Sequence, residues 1–177
     1  GMNALSTLSP PENAENPGLT FKGKTIILKN SVVLDNEYKP IHTFSGVFDG
    51  CGCSISNLKA SENYTQTSPK GKALFNIVKG ENAEIKNLKV TGTAEGAGIA
   101  YNLTNKAKIS NCKSEVNITT KGDNYPTPGG IVSHLNNGSR IENCENSGTI
   151  ICDKENTGGG IVGSMALSNE NDCREYP

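Results

Sequence analysis

The 177-residue chain has no tryptophan, and aromatic residues make up only 5% of it. Apolar residues reach 34%, below the usual ~45–50%, a norm that counts Gly and omits Tyr. A thick core filled with aromatic rings is therefore not expected. Charge of neither sign prevails: 17 Lys and Arg stand against 18 Asp and Glu, for a net charge of −1. A nucleic-acid partner needs a basic stripe to neutralise phosphate, so that class is excluded. Long hydrophobic runs are also missing. Segments such as Thr25-Ile26-Ile27-Leu28 are only a few residues long, and nothing spans a bilayer. The six cysteines (Cys51, Cys53, Cys112, Cys144, Cys152 and Cys173) include no C-x-x-C pair, and His42 and His134 stand far from them in sequence. No metal site or cofactor is expected from that spacing. There is no glycine-rich phosphate loop, nucleophile elbow or zinc-protease motif.

The abundant residues are Asn, 22 by count, and Gly, 20. The length permits one ordinary domain. Gly1 before Met2 reads as a remnant of tag removal, and no signal peptide is visible behind it. Residues 1–20, with Pro10, Pro11, Pro17 and Gly18, read as an irregular N-terminal segment or cap. Residues 21–177 read as one repeat domain.

The repeat has two landmarks. The first is Ile55-Ser56-Asn57-Leu58, Ile85-Lys86-Asn87-Leu88, Ile109-Ser110-Asn111-Cys112 and Ile141-Glu142-Asn143-Cys144. The second lies about ten residues earlier: Gly46-Val47-Phe48, Ala73-Leu74-Phe75, Gly98-Ile99-Ala100 and Gly130-Ile131-Val132, with a further copy at Gly160-Ile161-Val162. The interval from Ile99 to Ile109 equals that from Ile131 to Ile141. These segments are too short and too rich in Ile and Val for helical repeats, but they suit strands. A unit of about 24 residues accommodates three short strands and three turns, and stacked units form a parallel β-helix. Crossovers between parallel strands favour the right hand. The expected fold is therefore all-β, a single-stranded right-handed parallel β-helix of about five to six short coils.

In Ile-x-Asn-Leu the apolar residues are three apart, so the strand must bend between them rather than alternate. Asn is one of the few residues that tolerate left-handed backbone there. Asn57, Asn87, Asn111 and Asn143 are expected to stack as a ladder of amides at a coil corner. Cys112 and Cys144 then lie in adjacent coils, within reach of a disulfide, and Cys173 reads as a frayed copy of the same position.

Residues 44–58, Phe44-Ser45-Gly46-Val47-Phe48-Asp49-Gly50-Cys51-Gly52-Cys53-Ser54-Ile55-Ser56-Asn57-Leu58, resemble the opening of GLUG-motif domains from bacterial surface and secreted proteins. The upstream segment Lys24–Leu34 and Tyr38-Lys39-Pro40-Ile41 look like that family's lead-in. Asn143–Ile150 and Gly158–Gly163 are similar to its recurring units. The resemblance implies a pectin-lyase-like right-handed β-helix, a cell-surface or extracellular setting, and an adhesin-like or surface-structural role, often within a longer polypeptide. It supplies no catalytic residues. Cys51 and Cys53, where polar residues are usual, and Ala73, where Gly is usual, depart from the pattern.

An enzyme on this fold needs carboxylates clustered on one face. The outward rows expected from the repeat are Ser56, Lys86, Ser110 and Glu142, and Asp49, Asn76, Tyr101, Ser133 and Gly163. Neither gathers acids, and no catalytic residue is assigned. Asp49 reads as a turn residue and His134 as a surface or hydrogen-bonded histidine. Loops inserted at one corner form the candidate ligand-binding face, carrying Tyr64, Asp123, Asn124 and Tyr125; exposed tyrosines stack on sugars or anchor a partner. Nothing after Met165 resembles a cap, so end-to-end self-association, or continuation into further modules, is expected. The function expected is a non-enzymatic, adhesin-like module that contacts carbohydrate or a surface protein. A carbohydrate-active β-helix enzyme and a structural stalk are the alternatives.

Overall fold

The computed structural model describes Met2 and residues 18–35, 38–60, 72–120, 127–152 and 157–166. Most of the expected N-terminal cap, the site residues Tyr64, Asp123, Asn124 and Tyr125, and Cys173 lie outside the described residues.

The chain winds through short strands, one coil after another. It begins with β1 (Thr25–Ile27) and β2 (Val32–Val33). Three full coils follow: β3 (Ile41–Phe44), β4 (Val47–Asp49) and β5 (Ser54–Ala60); β6 (Phe75–Lys79), β7 (Glu84–Lys86) and β8 (Lys89–Ala94); β9 (Ala100–Thr104), β10 (Lys108–Ser110) and β11 (Lys113–Thr119). A fourth holds β12 (Val132–Asn136), β13 (Arg140–Glu142), β14 (Glu145–Asn146) and β15 (Ile150–Ile151), and β16 (Val162–Ala166) opens the next. The strands form three walls: β1-β4-β7-β10-β13; β2-β5-β8-β11-β14, where β15 also pairs with β11; and β3-β6-β9-β12-β16. Every pairing is parallel. This is the expected parallel β-helix, five levels deep in the first and third walls.

Each wall sends one side inward. In the first wall Ile26, Phe48, Ile85, Ile109 and Ile141 stand in register, and Phe48, Ile85 and Ile109 are fully buried. The core is not uniformly aliphatic. All four phenylalanines, Phe21, Phe44, Phe48 and Phe75, meet in its N-terminal part, with ring centroids 5.4–6.3 Å apart. Beyond them the column narrows to residues such as Val90, Ala100, Leu103, Val116 and Ile118.

Two expectations about the first full coil are corrected by register. Gly46-Val47-Phe48 is not a copy of Gly98-Ile99-Ala100. Val47 and Phe48 belong to the first wall, where Phe48 pairs with Ile85, and the third-wall slot of that coil is filled by Ile41–Phe44, with Ile41 beside Phe75. Likewise Ile55 pairs with Val90 in the second wall, not with Ile85. Asn57 therefore does not sit on the corner of Asn87. It occupies a bulge between Ile55 and Leu58, has φ 62°, and its Nδ2 donates to the Leu34 carbonyl at 2.7 Å.

Candidate functional site: the asparagine corner

At the corner between the first and second walls the same turn is made three times. β7 ends at Lys86; Asn87 takes φ 52°; Leu88 turns into the core; Lys89 starts β8. Asn111 (φ 51°) with Cys112, and Asn143 (φ 50°) with Cys144, repeat it one and two coils on. Asn143 Nδ2 donates to Asn111 Oδ1 at 3.3 Å, Asn111 Nδ2 to Asn87 Oδ1 at 3.4 Å, and Asn87 Nδ2 to Asp49 Oδ1 at 3.0 Å. The ladder is thus Asp49-Asn87-Asn111-Asn143, with Asp49 in the place expected for Asn57. Asp49 Oδ1 also accepts from the Cys51 main-chain N–H at 2.9 Å, the turn role read from sequence. Ser54 pairs with Lys89, so the inserted Cys51-Gly52 widens this corner in the first full coil. Cys51, Cys53, Cys112, Cys144 and Cys152 are free thiols, so the Cys112–Cys144 disulfide is not formed. Among the described residues no three His, Cys, Asp or Glu side chains gather as a metal site.

The corner opens into a groove of about 460 Å³, lined among others by Asp49, Cys51, Asn87, Asn111, Lys89 and Lys113. Its walls carry an ordered lattice of charge. Lys108 Nζ lies 3.0 Å from Glu84 and 3.9 Å from Glu142; Lys86 reaches Asp49 at 3.8 Å and Glu84 at 3.9 Å. On the neighbouring wall Lys89 lies 2.8 Å and Lys113 3.4 Å from Glu115, and Lys113 also reaches Glu145 at 3.0 Å. Hydrogen bonds from Asn87 and from the Cys51 main chain hold the Asp49 carboxyl below its ordinary range. Desolvation pushes the Glu84 carboxyl up, but Lys108 and the Ser110 hydroxyl, which donates at 2.8 Å, outweigh it and leave it lowered. The Lys89 hydrogen bond holds Glu115 down as well.

These shifts fix a pH dependence. A carboxyl whose folded pKa is depressed stabilises the fold above its unfolded value, ~3.9 for Asp and ~4.3 for Glu, and that stability is lost as pH falls through the folded value. Thermal melts followed by circular dichroism are expected to give a Tm that is flat just above about pH 5 and falls at lower pH. In an Asp49→Asn, Glu84→Gln variant the fall is expected to be shallower. An identical acid slope in variant and wild type would show that these two groups contribute nothing to it.

A second ladder escaped the sequence reading. At the corner after β9 and β12, Asn105 (φ 57°) and Asn137 (φ 51°) stack, Asn137 Nδ2 donating to Asn105 Oδ1 at 3.1 Å and to Thr104 Oγ1 at 3.0 Å. Gly80 (φ 113°) holds the equivalent position one coil earlier. The available signal was the equal offset of Asn105 and Asn137 from the Gly-Ile landmarks, since no apolar tetrapeptide marks them. On the third wall His134 Nδ1 lies 2.6 Å from Ser164 Oγ, and its ring meets Tyr101 edge-on at 5.1 Å. Burial lowers its pKa, and it is a hydrogen-bonded histidine, one of the two readings from sequence. No helix among the described residues is long and apolar enough to cross a membrane.

The family model of the GLUG motif matches residues 124–151, a span that includes β12, β13, β14 and β15. Neither the curated proteins nor the solved structures yield a match to the chain.

Proposed function

We propose that this chain is a non-enzymatic, adhesin-like β-helix module of the cell surface or extracellular space, which contacts carbohydrate or a surface protein. The observation that carries this reading is the pairing of the described carboxylates that flank the asparagine corner. A glycan-cleaving site keeps one carboxyl protonated near neutral pH by raising its pKa and leaves a second free to act as base or nucleophile. Asp49, Glu84 and Glu115 are shifted in the opposite direction, and each is paired with lysine, as are Glu142 and Glu145. Such a lattice leaves the walls suited to contact. The GLUG motif supports the extracellular setting.

The test is retention on a panel of immobilised polysaccharides, with new reducing ends assayed in the same samples. Retention without new reducing ends is the expected result. Release of reducing ends in proportion to protein, and its loss in Glu84→Gln, would overturn the non-enzymatic reading. A Tyr64→Ala, Tyr125→Ala variant isolates the share of retention carried by the loop face.

A further inference from the structure

We infer that the groove along the Asp49-Asn87-Asn111 ladder is a binding site for a neutral, extended β-1,4-linked glycan, laid parallel to the solenoid axis with one pyranose per coil. The inference rests on the reading of the chain as a glycan-contacting module and names the site and the class of sugar.

Three observations carry it. The first is unused hydrogen-bonding capacity. Asn87 and Asn111 each spend one N–H and one oxygen lone pair on the ladder. A primary amide has two of each, so these two rungs each retain a donor and an acceptor for a ligand. Asn111 is exposed, and its spare groups meet solvent. The second is spacing. Rungs of neighbouring coils repeat at about 4.8 Å, the separation of paired strands, which is close to the advance per pyranose in an extended β-1,4 chain. Successive sugars of such a chain are turned by about half a revolution, so the two edges of the rings alternate along the rungs, and each edge meets an amide able both to donate and to accept. The left-handed turns and the ladder bonds hold these amides in place before binding, which lowers the ordering cost.

The third is charge. Lys89 and Lys113 flank the rungs, yet both are committed to Glu115, and Lys113 also to Glu145. An acidic glycan must break those pairs and also meet the ionised Asp49 at the end of the ladder. A neutral one leaves the lattice intact and lies against the methylene stems of the two lysines.

The exposed Cys51 thiol lines the same groove and reports occupancy. The probe is cellohexaose, with maltohexaose as a coiled neutral comparator and hexagalacturonate as an acidic one. Two readouts are used on the whole chain: calorimetric titration, and the rate of Cys51 alkylation by N-ethylmaleimide, followed by peptide mass spectrometry. Asn111→Gly removes a rung while preserving the left-handed turn. Cellohexaose is expected to bind more tightly than either comparator and to slow Cys51 alkylation several-fold. Asn111→Gly is expected to weaken it about tenfold, the equivalent of one or two hydrogen bonds.

The inference is overturned if cellohexaose does not bind, if hexagalacturonate binds more tightly, or if bound cellohexaose leaves Cys51 alkylation unchanged. Should Asn111→Gly fail to fold, the protection of Cys51 in the wild-type chain decides by itself. Glycan retention that survives Asn111→Gly but is abolished by Tyr64→Ala, Tyr125→Ala overturns the groove and leaves the module reading standing. New reducing ends overturn the module reading instead.

Discussion

Replacing Phe75 with alanine is expected to cost about 3–5 kcal/mol, the range for truncating a fully buried aromatic ring. Phe75 is wholly inaccessible and packs between Phe44 at 5.4 Å and Phe48 at 5.5 Å. The four phenylalanines and Tyr38 are the aromatic part of a core built otherwise mostly of Ile, Leu, Val and Ala. The surrounding walls are hydrogen-bonded from coil to coil and have little freedom to collapse into the void, so the upper part of the range is expected. At about 2–4 °C per kcal/mol for a chain of this size, Tm should fall by about 10 °C or more. Phe75→Leu, which retains most of the volume, should cost well under half as much. Guanidinium unfolding of both variants checks this. Equal midpoints for Phe75→Ala and wild type would show that the ring cluster is not what holds the N-terminal coils together.

The β-helix itself was legible because two landmarks recur at a fixed separation. The equal Ile99–Ile109 and Ile131–Ile141 intervals are the passages from β9 to β10 and from β12 to β13. The first full coil was misread because its local patterns have two meanings. Ile55-Ser56-Asn57-Leu58 and Ile85-Lys86-Asn87-Leu88 look alike in sequence, and both asparagines do take left-handed backbone. One makes a corner, however, and the other a bulge inside a strand. Only pairing between coils distinguishes them, and that pairing is decided by which apolar residues share the core.

The misreading had a chemical consequence. With Asn57 placed on the ladder, Asp49 fell into a row with Asn76 and Tyr101, and Ser56 stood beside Lys86. The alignment of Ile85 with Ile109 already set Lys108 beside Glu84. Only the true register of the first full coil adds Asp49 beside Lys86 and extends the alternating charge of the wall to that coil. The candidate groove was hidden for the same reason, since it is made where Asp49 replaces an asparagine and Cys51-Gly52 widens the turn.

That register predicts a large effect at a residue that the repeat alone would pass over. Gly92 pairs with Leu58, where β5 carries its extra residue. Its φ of 136° lies in a region that L side chains rarely adopt, and a Cβ placed there would run into the main-chain nitrogen and carbonyl oxygen of Leu58. Neither atom can retreat, because Leu58 is fully buried and its strand is held between β2 and β8. Gly92→Ala therefore meets both backbone strain, on the order of 1–3 kcal/mol, and a collision that only displacement of a wall strand relieves. A combined loss of about 3 kcal/mol or more is expected, in the range of the severe named mechanisms. Gly80 separates the two terms. Its φ is 113°, but a Cβ there meets open space, so Gly80→Ala should show the strain alone and lose on the order of 1 kcal/mol. Guanidinium midpoints of the two variants give the comparison directly. If Gly80→Ala proves as damaging as Gly92→Ala, backbone conformation alone accounts for both, and the fit of the β5 bulge over Gly92 contributes nothing further.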